Sequence, residues 1–359
     1  MSKFFKELDL HTIPVPPEPV PVIILTGFLG SGKTTLLNNL LNGNHGLRIA
    51  VLVNDFGSIN IDSQLVTDVE GQDLISLENG CICCTIRNDL LDTVLGLLAR
   101  DPIPEMIVIE ASGISYPAEI AKTFLLKPLQ PYIRVDTILG MIDTDQVLGL
   151  TGQAGALARD QVSMSDMVVL NKIDLVDADK IELVRDWVQR IVPMARILEC
   201  AFGNIPLEIL LNTGSFALDQ LESRVQVHHP AEHSTGQAGH ASEFYTWNYV
   251  SEEALSFDAL KDVIYTLPSI ILRAKGFIYL GEVPERRGIL QLSGSRVTLS
   301  LGEPRGERKK ETQLVFISNE QEIDTMDLQL RFDSCRLSEM GEDYCGKTLN
   351  EIEEWIRNQ

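Results

Sequence analysis

An α/β fold with a mostly parallel, doubly wound sheet, followed by a smaller α+β domain, is predicted by three features of this 359-residue sequence. Apolar runs rich in Val, Ile and Leu alternate with helical patterns from Val22 to Glu199, the signature of strands buried on both faces by crossover helices. A glycine-rich turn, Gly27-Phe-Leu-Gly-Ser-Gly-Lys-Thr34, joins the first run to the first helix. Beyond a polar stretch, Arg224–Ser242, the order changes to closely spaced strand-like runs, which marks a second domain of different class.

Length alone favours two domains, because a single core rarely grows to this size. Hydrophobic residues make up 44% and charged residues 23%, ordinary values for a globular protein. No apolar run reaches membrane-spanning length and the N-terminus has no signal-peptide pattern, so a cytoplasmic protein without a membrane partner is expected. The net charge of −21 would repel a phosphate backbone, which argues against a nucleic-acid partner. Pro14, Pro16, Pro17, Pro19 and Pro21 point to a disordered or extended lead-in over residues 1–20.

Taken in order, Val22–Thr26 is the first strand, and Leu36, Leu37, Leu40 and Leu41 form the apolar side of the helix after the turn. Arg48–Val53 is a buried strand that empties into Asn54-Asp55-Phe56-Gly57-Ser58. Asp73–Glu78 leads to Cys81-Ile-Cys-Cys84, and Leu90, Leu91, Val94, Leu97 and Leu98 stripe a helix over 88–99. Further strands are expected at Met106–Glu110, Thr137–Ile142, Asp166–Leu170 and Arg196–Glu199, with a helix over Asp179–Ile191. Residues 21–222 form the first domain and 223–242 a linker carrying His228, His229, His233 and His240. The second domain, 243–340, has strands at 243–250, 273–280, 288–292, 296–301 and 313–317, a helix at 257–266 and a final helix from near Glu322. The acidic tail, 341–359, is expected to be loosely attached, with a helix available at Leu349–Ile356.

The glycine-rich turn has the flanks of a phosphate-binding P-loop, with a strand before it and a helix N-terminus after it. Gly27, Gly30 and Gly32 allow a tight turn whose N–H groups face phosphate oxygens. Lys33 is placed to reach the β- and γ-phosphates, and Thr34 to offer its hydroxyl to Mg²⁺. Asn171-Lys172-Ile173-Asp174 follows a strand far downstream. A carboxylate at Asp174 can accept from both the ring N–H and the 2-amino group of guanine, donors that adenine lacks. Asn171 would orient this loop, Lys172 would lie along the base, and Cys200–Gly203 offers backbone donors to the guanine carbonyl. Glu110, ending a buried strand, is a candidate to hold Mg²⁺ through water or to orient the attacking water. Asp55 is a candidate second acid. No glutamine stands beside Gly113 to position water, so slow intrinsic hydrolysis of GTP to GDP is expected.

Cys81, Cys83 and Cys84 suit Zn²⁺ or another soft or borderline metal, with one position left open and Glu78 available to fill it. The same segment read as Cys81-x-x-Cys84 is a redox pair, and buried inert thiols are the third reading. Cys200, Cys335 and Cys345 are scattered and assigned to packing or to no role.

These motifs together resemble the CobW-type (cobalamin-biosynthesis-protein-like) GTPases, in the same P-loop group as the urease and hydrogenase nickel-insertion GTPases. The resemblance is carried by Gly27–Thr35, Asn54–Asp62, Glu78-Asn-Gly-Cys-Ile-Cys-Cys84, Glu110-x-x-Gly113 with Pro117, and Asn171–Asp174. Leu267-Pro268, Arg273-x-Lys275-Gly276-Phe277 and Leu314–Ile317 are similar to the family's C-terminal domain. The resemblance implies a GTP-dependent metallochaperone that delivers zinc, or alternatively cobalt, to a client metalloprotein. It implies nucleotide contacts from Gly27, Gly30, Ser31, Gly32, Lys33, Thr34 and Thr35, and a cargo site at the three cysteines. Many members carry Glu where this chain has Asp55 and Ser58. The linker histidines are auxiliary metal candidates, a plain polar linker being the alternative. Homo-oligomerisation is compatible with this reading. Asn54–Cys84 is expected to be a bistable segment whose state follows the γ-phosphate. The rival readings are a regulatory GTPase or scaffold with a structural metal, and an ATP-dependent small-molecule kinase.

Overall fold

A computed structural model describes residues 13–43, 46–54, 73–77, 85–210, 245–306, 308–319, 323–341 and 344–357. They divide into two compact units, Met1–Pro193 with Glu199–Asn204, and Met194–Leu198 with Ile205–Gln359.

The first sheet contains β1 (Val20–Thr26), β2 (Ile49–Asn54), β3 (Asp73–Leu77), β4 (Met106–Glu110), β5 (Ile133–Asp143), β6 (Met167–Asn171) and β7 (Ile197–Glu199), in the order β3-β2-β4-β1-β5-β6-β7. Pairing is parallel from β3 across to β6. The doubly wound α/β class expected from the apolar runs is therefore the class observed. The central runs are mostly apolar, as strands covered on both faces are, and all five residues of β4 are buried. The register brings the carboxyl ends together. Leu25 pairs with Glu110, Val53 pairs with Glu110 on its other side, and Asp143 pairs with Asn171. In open parallel sheets this is the ligand-binding edge.

The connecting helices are α1 (Lys33–Asn42), α2 (Thr85–Leu98), α3 (Pro117–Phe124), α4 (Gly152–Ser163) and α5 (Ala178–Ile191). Two of them, α3 and α4, were not anticipated from the periodicity. The first is only eight residues long, with Pro117 at its start, and it buries Ile120, Ala121 and Phe124. The second opens Gly-Gln-Ala-Gly, with two glycines in its first turn that disfavour a helix and that tertiary packing overrides. Ile13 of the proline-rich lead-in packs against the core of this unit.

In the second unit, β8 (Tyr245–Ser251), β9 (Ile271–Ile278), β10 (Arg286–Ser293), β11 (Arg296–Pro304) and β12 (Thr312–Ser318) form an antiparallel sheet in the order β11-β10-β9-β12-β8. Its helices are α6 (Leu207–Leu210), α7 (Phe257–Tyr265), α8 (Thr325–Asp333) and α9 (Leu349–Arg357). Helix α8 begins later than expected, where the Asp324 carboxylate accepts from Asp327 N–H at 2.8 Å. Phe316, Phe332, Tyr249 and Trp247 pack ring against ring, with centroids 5.0 Å apart for Trp247–Phe316 and Tyr249–Phe332.

The tail corrects the sequence expectation of loose attachment. Ile352 is fully buried, and Trp355 meets Phe257 edge to face at 5.2 Å. A capping box starts the helix: Thr348 N–H donates to Glu351 Oε2 at 2.7 Å, and Glu351 N–H donates to Thr348 Oγ1 at 3.4 Å. Among the described residues no helix is long and apolar enough to cross a membrane.

Gly276 lies mid-strand in β9, paired with Leu290 on one side and Leu314 on the other. A Cβ there would overlap Gln313 O and fall 2.8 Å from Leu314 Cα, both backbone atoms that cannot swing away. Gly276→Ala is expected to cost about 3 kcal/mol, read as a lowered urea midpoint. Gly341→Ala, where nothing lies within 4 Å, is the control expected to stay within about 0.5 kcal/mol of the parent.

Candidate nucleotide-binding site

The turn after β1 is built by backbone conformations that a side chain would oppose. Gly27, Gly30 and Gly32 have φ of 142°, 76° and 102°. Space is as decisive as torsion at Gly32, where a Cβ would overlap Asn171 Nδ2. Within the cradle so formed, the Lys33 ammonium donates to Gly27 O at 3.0 Å and Phe28 O at 3.3 Å. Lys33 is 7% exposed, so a buried positive charge is folded over a ring of backbone groups. An anion entering there would meet that charge in a weakly solvated setting, where attraction is strong. Ser31 Oγ and Thr26 Oγ1 are buried at this turn with no hydrogen-bond partner among the described residues, which leaves polar capacity for a ligand. Thr35 is exposed on α1.

Strand β4 carries Glu110 to the same place. Thr34 Oγ1 donates to Glu110 Oε1 at 2.9 Å, joining residues 76 apart in sequence. A hydroxyl and a carboxylate so paired, next to a phosphate cradle, are oxygen donors of the kind Mg²⁺ takes.

On the far side, Asn171 ends β6 at 2% exposure. Its Nδ2 donates to Ser31 O at 2.8 Å, while its Oδ1 accepts from Gly203 N–H at 3.0 Å and from the Cys200 thiol at 3.4 Å. One side-chain amide thus ties the phosphate turn to the 200–203 loop. Lys172 follows in the left-handed region, φ 63°, and its ammonium meets Asp143 Oδ2 at 2.7 Å. Asp174 is exposed in a short 3₁₀ turn, Ile173–Leu175, with its carboxylate free to face a solvent-borne ligand. Burial pushes the Cys200 thiol up to about 12, and the Asp174 charge acts in the same direction. Cys200 is therefore a neutral packing thiol, as the sequence suggests.

The structure brings together Gly27, Gly30, Ser31, Gly32, Lys33, Thr34, Glu110, Asn171, Lys172 and Asp174 at one sheet edge. Asp55, Glu78, Cys81, Cys83, Cys84, His228, His229, His233 and His240 lie outside the described residues. Among those described, no group of three or more His, Cys, Asp or Glu is arranged to hold a metal ion. Gly203 N–H, one of the donors expected to face a base carbonyl, is instead engaged by Asn171.

Three contributors were not singled out from the sequence. Asp143 anchors Lys172 through one oxygen and accepts from Asp145 and Gln146 N–H, at 3.1 and 3.2 Å, through the other. Thr144 Oγ1 donates to Asn171 O at 2.7 Å. Gln161, 2% exposed on α4, donates through Nε2 to Gly113 O at 3.1 Å and Ser115 O at 3.2 Å. It holds the loop after Glu110 against the phosphate turn, where Gly113 packs on the backbone of Leu29. Asp143 had a signal, an acid at the end of a parallel strand; Gln161 had none.

Asp143→Asn keeps the turn acceptor but removes the charge that fixes Lys172. A fall in GDP affinity of roughly tenfold is expected, with little change in thermal midpoint. Calorimetric titration checks it, and an unchanged affinity would exclude Asp143 from base recognition.

Comparison with known proteins places these motifs in a family. Residues 21–199 match the CobW/HypB/UreG nucleotide-binding domain, and residues 244–336 match the cobalamin synthesis protein CobW C-terminal domain. The zinc-regulated GTPase metalloprotein activator 1 of Dictyostelium discoideum is 34% identical over 326 residues, covering 79% of this chain and 67% of that protein. The zinc chaperone CobW of Sinorhizobium sp is 31% identical over 326 residues, covering 80% and 91%. The zinc chaperone YjiA of Escherichia coli K12 is 30% identical over 310 residues, covering 83% and 94%. With family models matching residues 21–199 and 244–336, and relatives at least 30% identical over two thirds or more of their length, the chain belongs to the CobW family of P-loop GTPases.

Proposed function

We propose that this protein is a GTP-dependent zinc metallochaperone that takes up Zn²⁺ at Cys81, Cys83 and Cys84 and passes it to a client metalloprotein. The observation that carries the reading is that the three cysteines lie, in the sequence, between the carboxyl end of one strand of a GTPase sheet and the helix that follows it. Leu77 ends β3 and Thr85 begins α2, so residues 78–84 span the connection leaving the carboxyl end of β3. In the strand order β3-β2-β4-β1, that end stands three strand spacings, about 14 Å, from the strand that feeds the phosphate turn. The names of the relatives, zinc chaperone and zinc-regulated GTPase metalloprotein activator, favour zinc over cobalt.

Each nucleotide-site residue has a role in this reading. Lys33 gives up its loop carbonyls for the β- and γ-phosphate oxygens, and the N–H groups of 27–35 line the phosphates. Asn171 keeps the base loop docked on the phosphate turn, Lys172 lies along the base, and Asp174 accepts from the two guanine donors. Thr34 and Glu110 would hold Mg²⁺, the hydroxyl directly and the carboxylate through water. When bound, the ion neutralises charge on the phosphates. Gln161 keeps Gly113 beside the terminal phosphate position, and with no glutamine next to Gly113 hydrolysis is slow. Three thiolates leave zinc one exchangeable position, which suits delivery better than a closed structural site.

Cys83→Ser tests the cargo role. Zinc bound per chain after gel filtration is expected to fall below half of the parent value, while metal-free GTP turnover and the thermal midpoint hold. Joint loss of zinc, turnover and fold would assign the cysteines to structure instead.

A further inference from the structure

The loop after β7 contains a turn that its own sequence opposes. Asn204 N–H donates to Ala201 O at 3.0 Å, closing four residues whose central pair, Phe202 and Gly203, have φ of 55° and 62°. Positive φ at both central positions is the type I′ signature, and Asn-Gly or Gly-Gly is its usual sequence. Glycine fits the second position. A phenylalanine at the first does not, because its Cβ crowds the backbone in the left-handed region.

Among the described residues the ring gains little packing in return. The Phe202 side chain is among the most exposed apolar groups described, at 71%. The backbone around it is held firmly: Phe202 O accepts from Asn39 Nδ2 at 2.9 Å, and Gly203 N–H donates to Asn171 Oδ1 at 3.0 Å. The turn is thus pinned to α1 and to the Asn171 amide, with the ring turned out to solvent. Lys172 and Phe202 are the only non-glycine residues with positive φ among those described, and their segments adjoin, with Ile173 N–H donating to Cys200 O at 3.4 Å. The Asp174 charge reaches Cys200 as well. Backbone strain retained at one place, against the local sequence, marks a functional constraint.

We propose that Phe202 is a base-binding residue of the nucleotide site, its ring forming an aromatic wall for the purine whose edge Asp174 reads. This rests on the guanine-nucleotide reading above. A flat, polarisable base gains from contact with an aromatic ring, and an exposed ring on a rigid turn gives that contact without ordering a loop on binding. The wall serves the base alone and not the phosphates.

The test uses the full chain with three variants of ligand: GDP, ATP and inorganic tripolyphosphate, which lacks a base. Phe202→Asn places the residue best suited to this turn, and Phe202→Tyr keeps a ring. For Phe202→Asn the ligand-free melting temperature is expected to rise by about 2 °C as strain is relieved. Its GDP affinity is expected to fall roughly tenfold, with tripolyphosphate affinity unchanged and Phe202→Tyr close to the parent. Unchanged GDP affinity in Phe202→Asn would overturn the proposal while leaving the guanine reading intact. A parallel loss of tripolyphosphate binding, or a lower melting temperature, would also overturn it, by showing the ring to be structural. If the parent binds ATP as well as GDP, the guanine reading fails. A tenfold loss of both nucleotides in Phe202→Asn would then still support the wall.

Discussion

The buried carboxamide of Asn171 is the interaction on which the nucleotide edge depends. It reaches back 140 residues to Ser31 O and forward 32 residues to Gly203 N–H. Each is a group whose desolvation would be costly if left unpaired. The bond to Ser31 is short because Gly32 has no side chain to stand in the way. Around this amide, Thr144 fixes Asn171 O and Asp143 fixes Lys172. The turn after β1 and the loops after β6 and β7 are therefore tied together by hydrogen bonds, at the edge where the parallel register aligns Asp143 with Asn171. Pre-assembly of this kind lowers the ordering cost of binding.

The opposite half of the same edge is arranged differently. Glu110 sits between Leu25 and Val53 in the register, so the acid paired with Thr34 adjoins the strand that leads into the Asn54–Asp62 segment. Gln161 holds the chain beyond Glu110 through carbonyls at 113 and 115. Strands β2 and β3 lie beside β4 in the sheet, and in the sequence the Asn54–Asp62 and Glu78–Cys84 segments come at their ends. In the reading proposed above, this is how one phosphate is made to matter to a metal held nearby, and linkage requires the effect to run both ways.

Much of this was legible in the sequence, for identifiable reasons. Strands buried on both faces leave unbroken apolar runs, so β1, β2, β4 and β6 stand out, and the spacing of Gly27–Thr34 and Asn171–Asp174 fixes two loops at the ends of such strands. Pairings made only in space were not legible. Nothing near Gln161 announces that it binds Gly113 and Ser115, and Asp143 reads as a strand end until Lys172 is seen beside it. The helix at the tail was legible as available, but its acidic composition hid the docking by which Ile352 and Trp355 complete the second core. Its signal was the Thr348–Glu351 capping box. Phe202 is the reverse case, an aromatic that composition would place in a core and that the fold holds outside.

The central claim is that nucleotide and zinc are coupled ligands of one switch. Zinc affinity measured by competition with a chromophoric chelator, on chain that is nucleotide-free, GDP-bound or bound to a non-hydrolysable GTP analogue, tests it most directly. The account predicts affinities that differ between the GDP and GTP-analogue states by at least fivefold, about 1 kcal/mol of coupling, with the same factor recovered when nucleotide affinity is measured with and without zinc. Equal zinc affinity in all three states would contradict it.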